Sequence, residues 1–273
     1  MKAAPEWIMP LRTSETAATP LFLVHPVGGS TMAYLWLADA LDDRPCFGVE
    51  ARGLHQDEHD RTVAQAADEY TTAVRQLGTG GPYALGGWSM GATIAFEIAR
   101  RLQAAGERIA TLALLDPEPG WTEPPPADAR EMVAGFVRDM LRQSRAPKEV
   151  ESLTADVTAG AEGPDPVGSV VERLSRYGLI PRGSEEIVAR RIEVFGALGG
   201  AHAAYRPVPA DLAVTLFSGR SGAEQQRRAW QPLARAGFRQ HVLEADHYSL
   251  IGPAHAERIG GAIVDALSPA ARA

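Results

Sequence analysis

Residues 19–30, TPLFLVHPVGGS, set a short apolar run directly before a pair of glycines. That is the pattern of a strand buried on both faces and running into a loop. TMAYLWLADAL follows with helical periodicity, RPCFGVEARG reads as a second strand, and TVAQAADEYTTAVRQL as an amphipathic helix. PYALGGWS gives a third strand and leads into a helix from Met90 to about Ala105, which Gly106 closes as a C-cap. RIATLALLDPEPG supplies a fourth strand whose nearly continuous apolar run fits a sheet covered by helices on both faces. Alternating strands and helices predict an α/β fold with a mostly parallel sheet and right-handed crossovers.

Beyond Asp116 the pattern changes. PEPGWTEPPPADA is proline-rich, and no strong strand signal follows until about Tyr205. Met132, Val133, Phe136, Val137, Met140 and Leu141 fall at helical spacing, as do Ile187, Val188, Ile192 and Phe195. Between these groups, TADVTAGAEGPDPVGS is small, polar and glycine-rich and predicts a mobile loop. The segment from about 120 to 204 therefore reads as a helical insertion over the sheet, within one domain spanning 19–273 and preceded by an arm at 1–18. The sheet resumes with LAVTLFSGR and FRQHVLEADHYSL, and AHAERIGGAIVDAL forms a terminal helix.

The 273 residues carry a formal net charge of -7, with no lysine- or arginine-rich stretch, which argues against a nucleic-acid partner. No apolar run near the N-terminus is long enough for a signal peptide or a membrane helix, so a cytoplasmic, non-membrane protein is expected. Cys46 is the single cysteine; it lies in a strand and reads as a buried structural thiol. The seven histidines pair with no cysteine or carboxylate at metal-ligand spacing, so no metal is expected.

Gly87-Trp88-Ser89-Met90-Gly91 matches G-x-S-x-G between a strand and a helix. A sharp turn there strains the serine backbone and admits only small neighbours, and it raises the hydroxyl at a helix N-terminus, where negative charge is favoured. The bland alternative is an N-cap serine flanked by glycines. A serine nucleophile needs a base and a group to orient that base. Asp116 ends the strand after the elbow, and His247 lies just beyond the last strand, in the chain order Ser, acid, His. Asp246 adjoins the histidine but should point away from it, and Asp211 is a rival acid on a later connection. His25, before Pro26, suggests loop packing, and His255 a surface or packing role. An oxyanion hole would take its backbone N–H groups from Met90 and from Val27, the first donor after Pro26 in HPVGGS. That loop lacks the ending of a P-loop and the spacing of a dinucleotide fingerprint.

FLVHPVGGSTMAYLWLADAL, FGVEARGL, GPYALGGWSMGATIAFEIARRLQAAGERIATLALLD and ADHYSL together resemble the type I thioesterase domain that ends non-ribosomal peptide synthetases. The likeness covers nearly the whole chain except 120–200. Trp88 before the serine resembles the assembly-line domains, where free-standing editing enzymes more often carry histidine. Ala92 departs from a second glycine common in relatives. The resemblance implies an α/β-hydrolase fold and transfer of an acyl or peptidyl chain from carrier-protein phosphopantetheine to Ser89, with His247 as base and Asp116 fixing its tautomer. Water would then give a free acid, or an amine or hydroxyl of the chain a macrocycle. No cofactor is implied beyond the substrate's own phosphopantetheine, and the partner implied is a peptidyl or acyl carrier domain. The insertion would be a lid, with Trp121, Phe136, Met140 and Phe195 as lining candidates, although ordinary packing explains most of them.

Three readings stay open: a terminal releasing thioesterase, an editing thioesterase or small-ester hydrolase using the same residues, and a non-catalytic binding protein on the same scaffold. The identity of the chain, hydrolysis against cyclisation, and the oligomeric state are not legible. VGGST has a superficial likeness to a carrier attachment motif but belongs to the oxyanion loop.

Overall fold

The computed structural model describes residues 4–77, 80–117, 128–143, 145, 147–159, 161 and 163–268. Its strands are β1 (Ile8–Arg12), β2 (Leu21–Val24), β3 (Cys46–Val49), β4 (Tyr83–Trp88), β5 (Ile109–Leu115), β6 (Ala213–Gly219) and β7 (Gly237–Leu243). They form one sheet in the order β1-β3-β2-β4-β5-β6-β7. Every neighbouring pair is parallel except β1 with β3. The alternation of strand and helix thus gives the mostly parallel sheet that it predicts. The arm reading carried no strand, yet Ile8–Arg12 pairs antiparallel with β3. Pro10 masks the signal, and an edge is where a sheet tolerates proline.

The central strands read as unbroken apolar runs because both faces are covered. All six residues of β4 are buried, as are all four of β2. On one face lie α2 (Val63–Leu77) and α3 (Met90–Ala104). Tyr70, Val74, Ile94, Phe96 and Ile98 pack there with Phe22, Leu85 and Leu114 of the sheet. On the other face, α1 (Leu35–Asp39) and α9 (Pro253–Leu267) bring Leu37, Ile259 and Ile263 against Leu23, Leu115 and Phe217. The helix expected over residues 31–41 is shorter than its periodicity suggests: Met32–Tyr34 form a 3₁₀ turn before α1. Cys46 is fully buried, and burial pushes its thiol up to about 12, as befits a structural residue.

Between β5 and β6 the described residues form α4 (Ala129–Arg142), α5 (Pro147–Thr158), α6 (Pro166–Arg176) and α7 (Glu185–Ala204). The mobile loop expected over 154–169 gives way to helix at both ends. Helix α5 runs through Thr158, and α6 starts at Pro166. Asp165 caps α6 by accepting the Gly168 N–H at 2.9 Å, with proline in the first turn, so the Asp-Pro pair starts a helix rather than a loop. Val133, Phe136, Val170, Leu174, Val188 and Ile192 give these helices a core of their own. Phe136 meets Phe195 edge to face at 5.7 Å within it, so these two are packing residues, and Met140 lies against the same cluster. Trp121 lies outside the described residues. Farther along α7, Val194, Leu198 and Ala201 join the main core, which fixes that end of the insertion to the sheet.

Helix α8 (Ala223–Trp230) follows β6 and packs Trp230 edge to face on Phe96, with centroids 5.6 Å apart. Phe96 is fully buried. Phe96→Ala should therefore destabilise the protein by about 3–5 kcal/mol, read as a lower urea midpoint with an unchanged slope.

Candidate active site

Strand register brings the sequence candidates to one edge. Val24 pairs with Gly87, Trp88 with Leu115, and Leu115 with Phe217, so the carboxyl ends of β2, β4, β5 and β6 lie level. Ser89 follows the end of β4, Asp116 the end of β5, and His247 comes four residues after β7. In open α/β sheets this edge is where ligands bind. Asp211, the rival acid, precedes β6 and so sits at the opposite edge, where its carbonyl accepts from Gln103 at 2.6 Å.

Ser89 has φ 56° and ψ -127°, a left-handed conformation costly for a non-glycine residue. The turn forces it there because its surroundings allow nothing else. A Cβ on Gly91 would overlap the carbonyls of Val24 and His25, and one on Gly87 would overlap the backbone of Gly91. Both flanking glycines are thus required by close approach, as G-x-S-x-G predicts. The Ser89 N–H donates to Leu115 O at 2.9 Å, and Ser89 O accepts from Ala92 N at 3.1 Å. No side-chain bond caps α3 from Ser89, which sets aside the N-cap reading. Its hydroxyl stays at the helix N-terminus at 8% residue exposure.

Asp116 also has a positive φ, 42°, and it is buried. Oδ2 accepts from His247 Nδ1 at 2.7 Å, while Oδ1 accepts from Gly219 N at 2.8 Å and from Gln226 Nε2 at 2.9 Å. Burial alone would raise its pKa. The bonds from His247 and Gly219, the histidine charge and Gln226 outweigh burial and hold the carboxyl below its ordinary range. Asp246 turns away as expected, its Oδ1 accepting from Tyr248 N at 3.1 Å and Ser249 N at 2.8 Å. His247 is held a second time by Trp88. The indole lies against the imidazole at 4.8 Å, and its Nε1 donates to His247 O at 3.1 Å. The residue before the serine therefore positions the histidine.

The loop after β2 turns tightly, with Gly29 N donating to Pro26 O at 2.9 Å and Gly29 at φ 79°. Glu50 braces it: Oε1 accepts from Thr31 N at 3.0 Å and Ser30 Oγ at 3.1 Å, and Oε2 bonds His55 Nε2 at 2.8 Å. His25 is a packing residue, as its sequence position suggests. Its Nδ1 bonds Pro26 O at 2.7 Å and its Nε2 bonds Tyr70 Oη at 2.9 Å. Burial lowers its pKa to about 4, so it is neutral at pH 7. Tyr34 ties loop to elbow: its hydroxyl donates to Val24 O and accepts from Trp88 N at 2.8 Å. Met90, the first residue of α3, offers a backbone N–H with no acceptor in its own helix.

Sequence reasoning did not single out Gln226, Tyr34, Glu50 or Asp139. Gln226 sits in AEQQRRAW, a polar helix with no pattern that marks one glutamine. Asp139, on α4, accepts from Tyr248 Oη at 3.0 Å through Oδ1, beside the imidazole. No group of three or more metal-ligating side chains occurs among the described residues. No helix among them is long and apolar enough to cross a membrane.

A parallel sheet with a strained serine between β4 and α3, and a buried acid–imidazole pair at the same edge, defines an α/β-hydrolase-type site. The thioesterase domain model matches residues 19–267, and the chain belongs to that family. It is 30% identical over 257 residues to nonribosomal peptide synthetase btyA of Aspergillus terreus, covering 85% of this chain and 26% of that protein. It is 28% identical over 277 residues to the dimodular nonribosomal peptide synthase of Bacillus subtilis, covering 95% of this chain and 11% of that one. The chain spans about a quarter of the length of the Aspergillus synthetases it matches. Among solved structures it is similar to the NocB thioesterase domain in covalent complex with a fluorophosphonate nocardicin G analogue, with TM-score 0.65 and 25% identity over 93% of this chain and 96% of that one. It also shares the fold of part of the four-domain synthetase AB3403, with TM-score 0.82 and 24% identity over 98% of this chain and 20% of that one.

Gln226→Leu should remove one of three hydrogen bonds to a buried carboxylate and cost about 1–3 kcal/mol at pH 7. A carboxyl depressed in the fold contributes stability above its unfolded value and loses it as pH falls through the folded value. The Gln226→Leu penalty should therefore shrink below about pH 4, measured by urea unfolding across pH.

Proposed function

We propose that this chain releases an acyl or peptidyl chain from the phosphopantetheine thiol of a carrier domain through an ester on Ser89, with His247 and Asp116 as its catalytic partners. The observation that carries the reading is the 2.7 Å bond between Asp116 and His247 at the sheet edge where the strained Ser89 turn lies. Asp116 accepts a hydrogen bond from the Nδ1–H of the imidazole, which fixes the tautomer in which Nε2 acts as base. Ser89 Oγ attacks the thioester carbonyl as its proton passes to Nε2, and negative charge gathers on the carbonyl oxygen. The N–H groups of Met90 and Val27 are the proposed donors to that oxygen. The carbon–sulfur bond then breaks, and the imidazolium returns the proton to the departing thiolate.

Deacylation repeats these steps with another nucleophile. Water gives a free acid, while an amine or hydroxyl on the chain gives a ring; in either case His247 takes the proton and Ser89 Oγ leaves. The insertion of α4 to α7 acts in this reading as a lid that shapes the acyl chamber and limits water. A cavity of about 390 Å³ lies between the loop after β2 and α7, lined by Ser30, Glu50, Ile187, Arg190 and Arg191, within the size range of small-molecule sites. It offers the chain or its pantetheine arm a place beside the oxyanion loop. The similar nonribosomal peptide synthetases support a carrier domain as partner.

Intact-protein mass spectrometry after mixing with a peptidyl-pantetheine thioester should show an acyl adduct or turnover that disappears in Ser89→Ala. Product mass then separates free acid from ring, the acid being one water heavier. Asp116→Asn should lower the rate by about 10³–10⁴-fold while Asp211→Asn leaves it nearly unchanged. A crippling Asp211→Asn with a mild Asp116→Asn would overturn the acid assignment. Turnover of simple esters with no preference for a carrier-loaded thioester would favour a small-ester hydrolase instead.

A further inference from the structure

We propose that Asp139 is a specificity-determining residue that selects acyl chains bearing a protonated amine within a few bonds of the thioester carbonyl. The inference rests on the reading that the acyl carbonyl sits at Ser89, and it names a property of the chain which that reading leaves open.

Three observations place the carboxylate. Asp139 lies on α4, in the insertion, and its Oδ1 accepts from Tyr248 Oη at 3.0 Å. Tyr248 in turn stands edge-on to the His247 ring at 5.3 Å. The other oxygen, Oδ2, faces the oxyanion loop, only 3.8 Å from where a Cβ on Gly28 would lie. Gly28 directly follows Val27, the proposed donor to the developing oxyanion. A carboxylate therefore reaches from the insertion to the immediate surroundings of the reacting carbonyl.

Its partners leave its charge uncompensated at close range. Tyr248 and Gln143 are neutral donors. No basic side chain among the described residues lies within ion-pair distance of Asp139. Arg191 on α7 and the His247 ring act on it only through space. Half-buried among these groups, the carboxyl is pushed upward by desolvation, against the pull of Tyr248, His247 and Arg191. A partly desolvated charge without a counterion is costly, and a fixed contact to Tyr248 would be served equally well by a neutral acceptor. An arriving ammonium supplies the missing countercharge. The absence of a side chain at Gly28 leaves room for a compact donor rather than a bulky one. Both the α-amine of an aminoacyl group and the side-chain amine of a short diamino acid meet that description. A fatty or aryl chain without nitrogen would instead leave Asp139 desolvated and unpaired, which is discrimination by an unmet charge.

Binding rather than turnover tests this. Two pantetheine amides, leucyl and 4-methylpentanoyl, differ only by the α-amine and cannot be cleaved at a thioester. By calorimetry at pH 7.5 on Ser89→Ala protein, the leucyl ligand should bind at least tenfold more tightly. Adding Asp139→Asn should bring the two affinities within about twofold, by weakening the leucyl ligand alone. Asp139→Ser should do the same, which guards against misfolding of one variant. Tyr248→Phe keeps the carboxylate and should keep the preference, whereas a purely structural latch would make all three variants weaken both ligands alike. Equal affinities in the parent protein, a preference that survives loss of the carboxylate, or binding of neither ligand would overturn the proposal. Fluorophosphonate labelling of the otherwise unaltered protein separates the two readings: no adduct on Ser89 defeats the acyl-serine mechanism, whatever the binding preference shows.

Discussion

One backbone contact governs the arrangement of this molecule: the start of α3 presses on the carbonyls that end β2, with Gly91 against Val24 and His25. No side chain fits between them. The elbow at Ser89 can therefore turn only one way, and its left-handed φ of 56° follows. A residue held there costs on the order of 1–3 kcal/mol and persists only where its neighbours determine it. Here they do, through the Leu115 carbonyl that accepts from Ser89 N and through a helix buried along most of its length. Tyr34 makes the same junction rigid from the other side, since one hydroxyl joins the last carbonyl of β2 to the N–H of Trp88. The serine and the loop after β2 are thus fixed relative to each other by bonds that neither residue makes itself.

The acid–base pair depends on a different kind of support. Asp116 and His247 are 131 residues apart in sequence, and neither can orient the other without outside help. Parallel register delivers the first level with Ser89, because Leu115 pairs with both Trp88 and Phe217. The second arrives on the loop after β7, where Trp88 holds it by ring contact and by its indole N–H. Donors from β6 and α8 complete the Asp116 carboxylate. A buried acid with every oxygen satisfied stays ionised, and an ionised acid is what a charged imidazole requires.

These differences explain what the sequence reveals and what it hides. Local constraints write themselves into local patterns. The glycines around Ser89 must be small because backbone meets backbone, and the apolar runs of β2, β4 and β5 follow from helices on both faces. Asp116 and His247 are legible as candidates because each follows a strand toward a predictable edge. Gln226 and Asp139 are not, since each acts across the fold from a polar helix position whose neighbours in sequence say nothing about its target. The edge strand β1 hides behind Pro10, and the Asp165-Pro166 helix start looks like a turn because caps and turns use the same residues. Trp88 stands out in the sequence through family likeness, whereas its physical role emerges only when the His247 loop folds back onto it.

Under the proposed function, the way the insertion is packed would let the scaffold change its substrate while keeping its chemistry. Among the described residues, the insertion's α7 end is built into the main core through Val194, Leu198 and Ala201, with polar ties from His202 to Thr93 and from Tyr205 to Glu97. The rest, α4 to α6, packs on its own cluster around Phe136 and Leu174. That cluster is separate from the backbone contact at Gly91 and from the donors to Asp116. Asp139 stands where these two regimes meet, on an insertion helix but bonded to Tyr248 beside the imidazole. Under the proposed function, a change of charge at that position would alter which chains are accepted and leave Ser89, Asp116 and His247 in place.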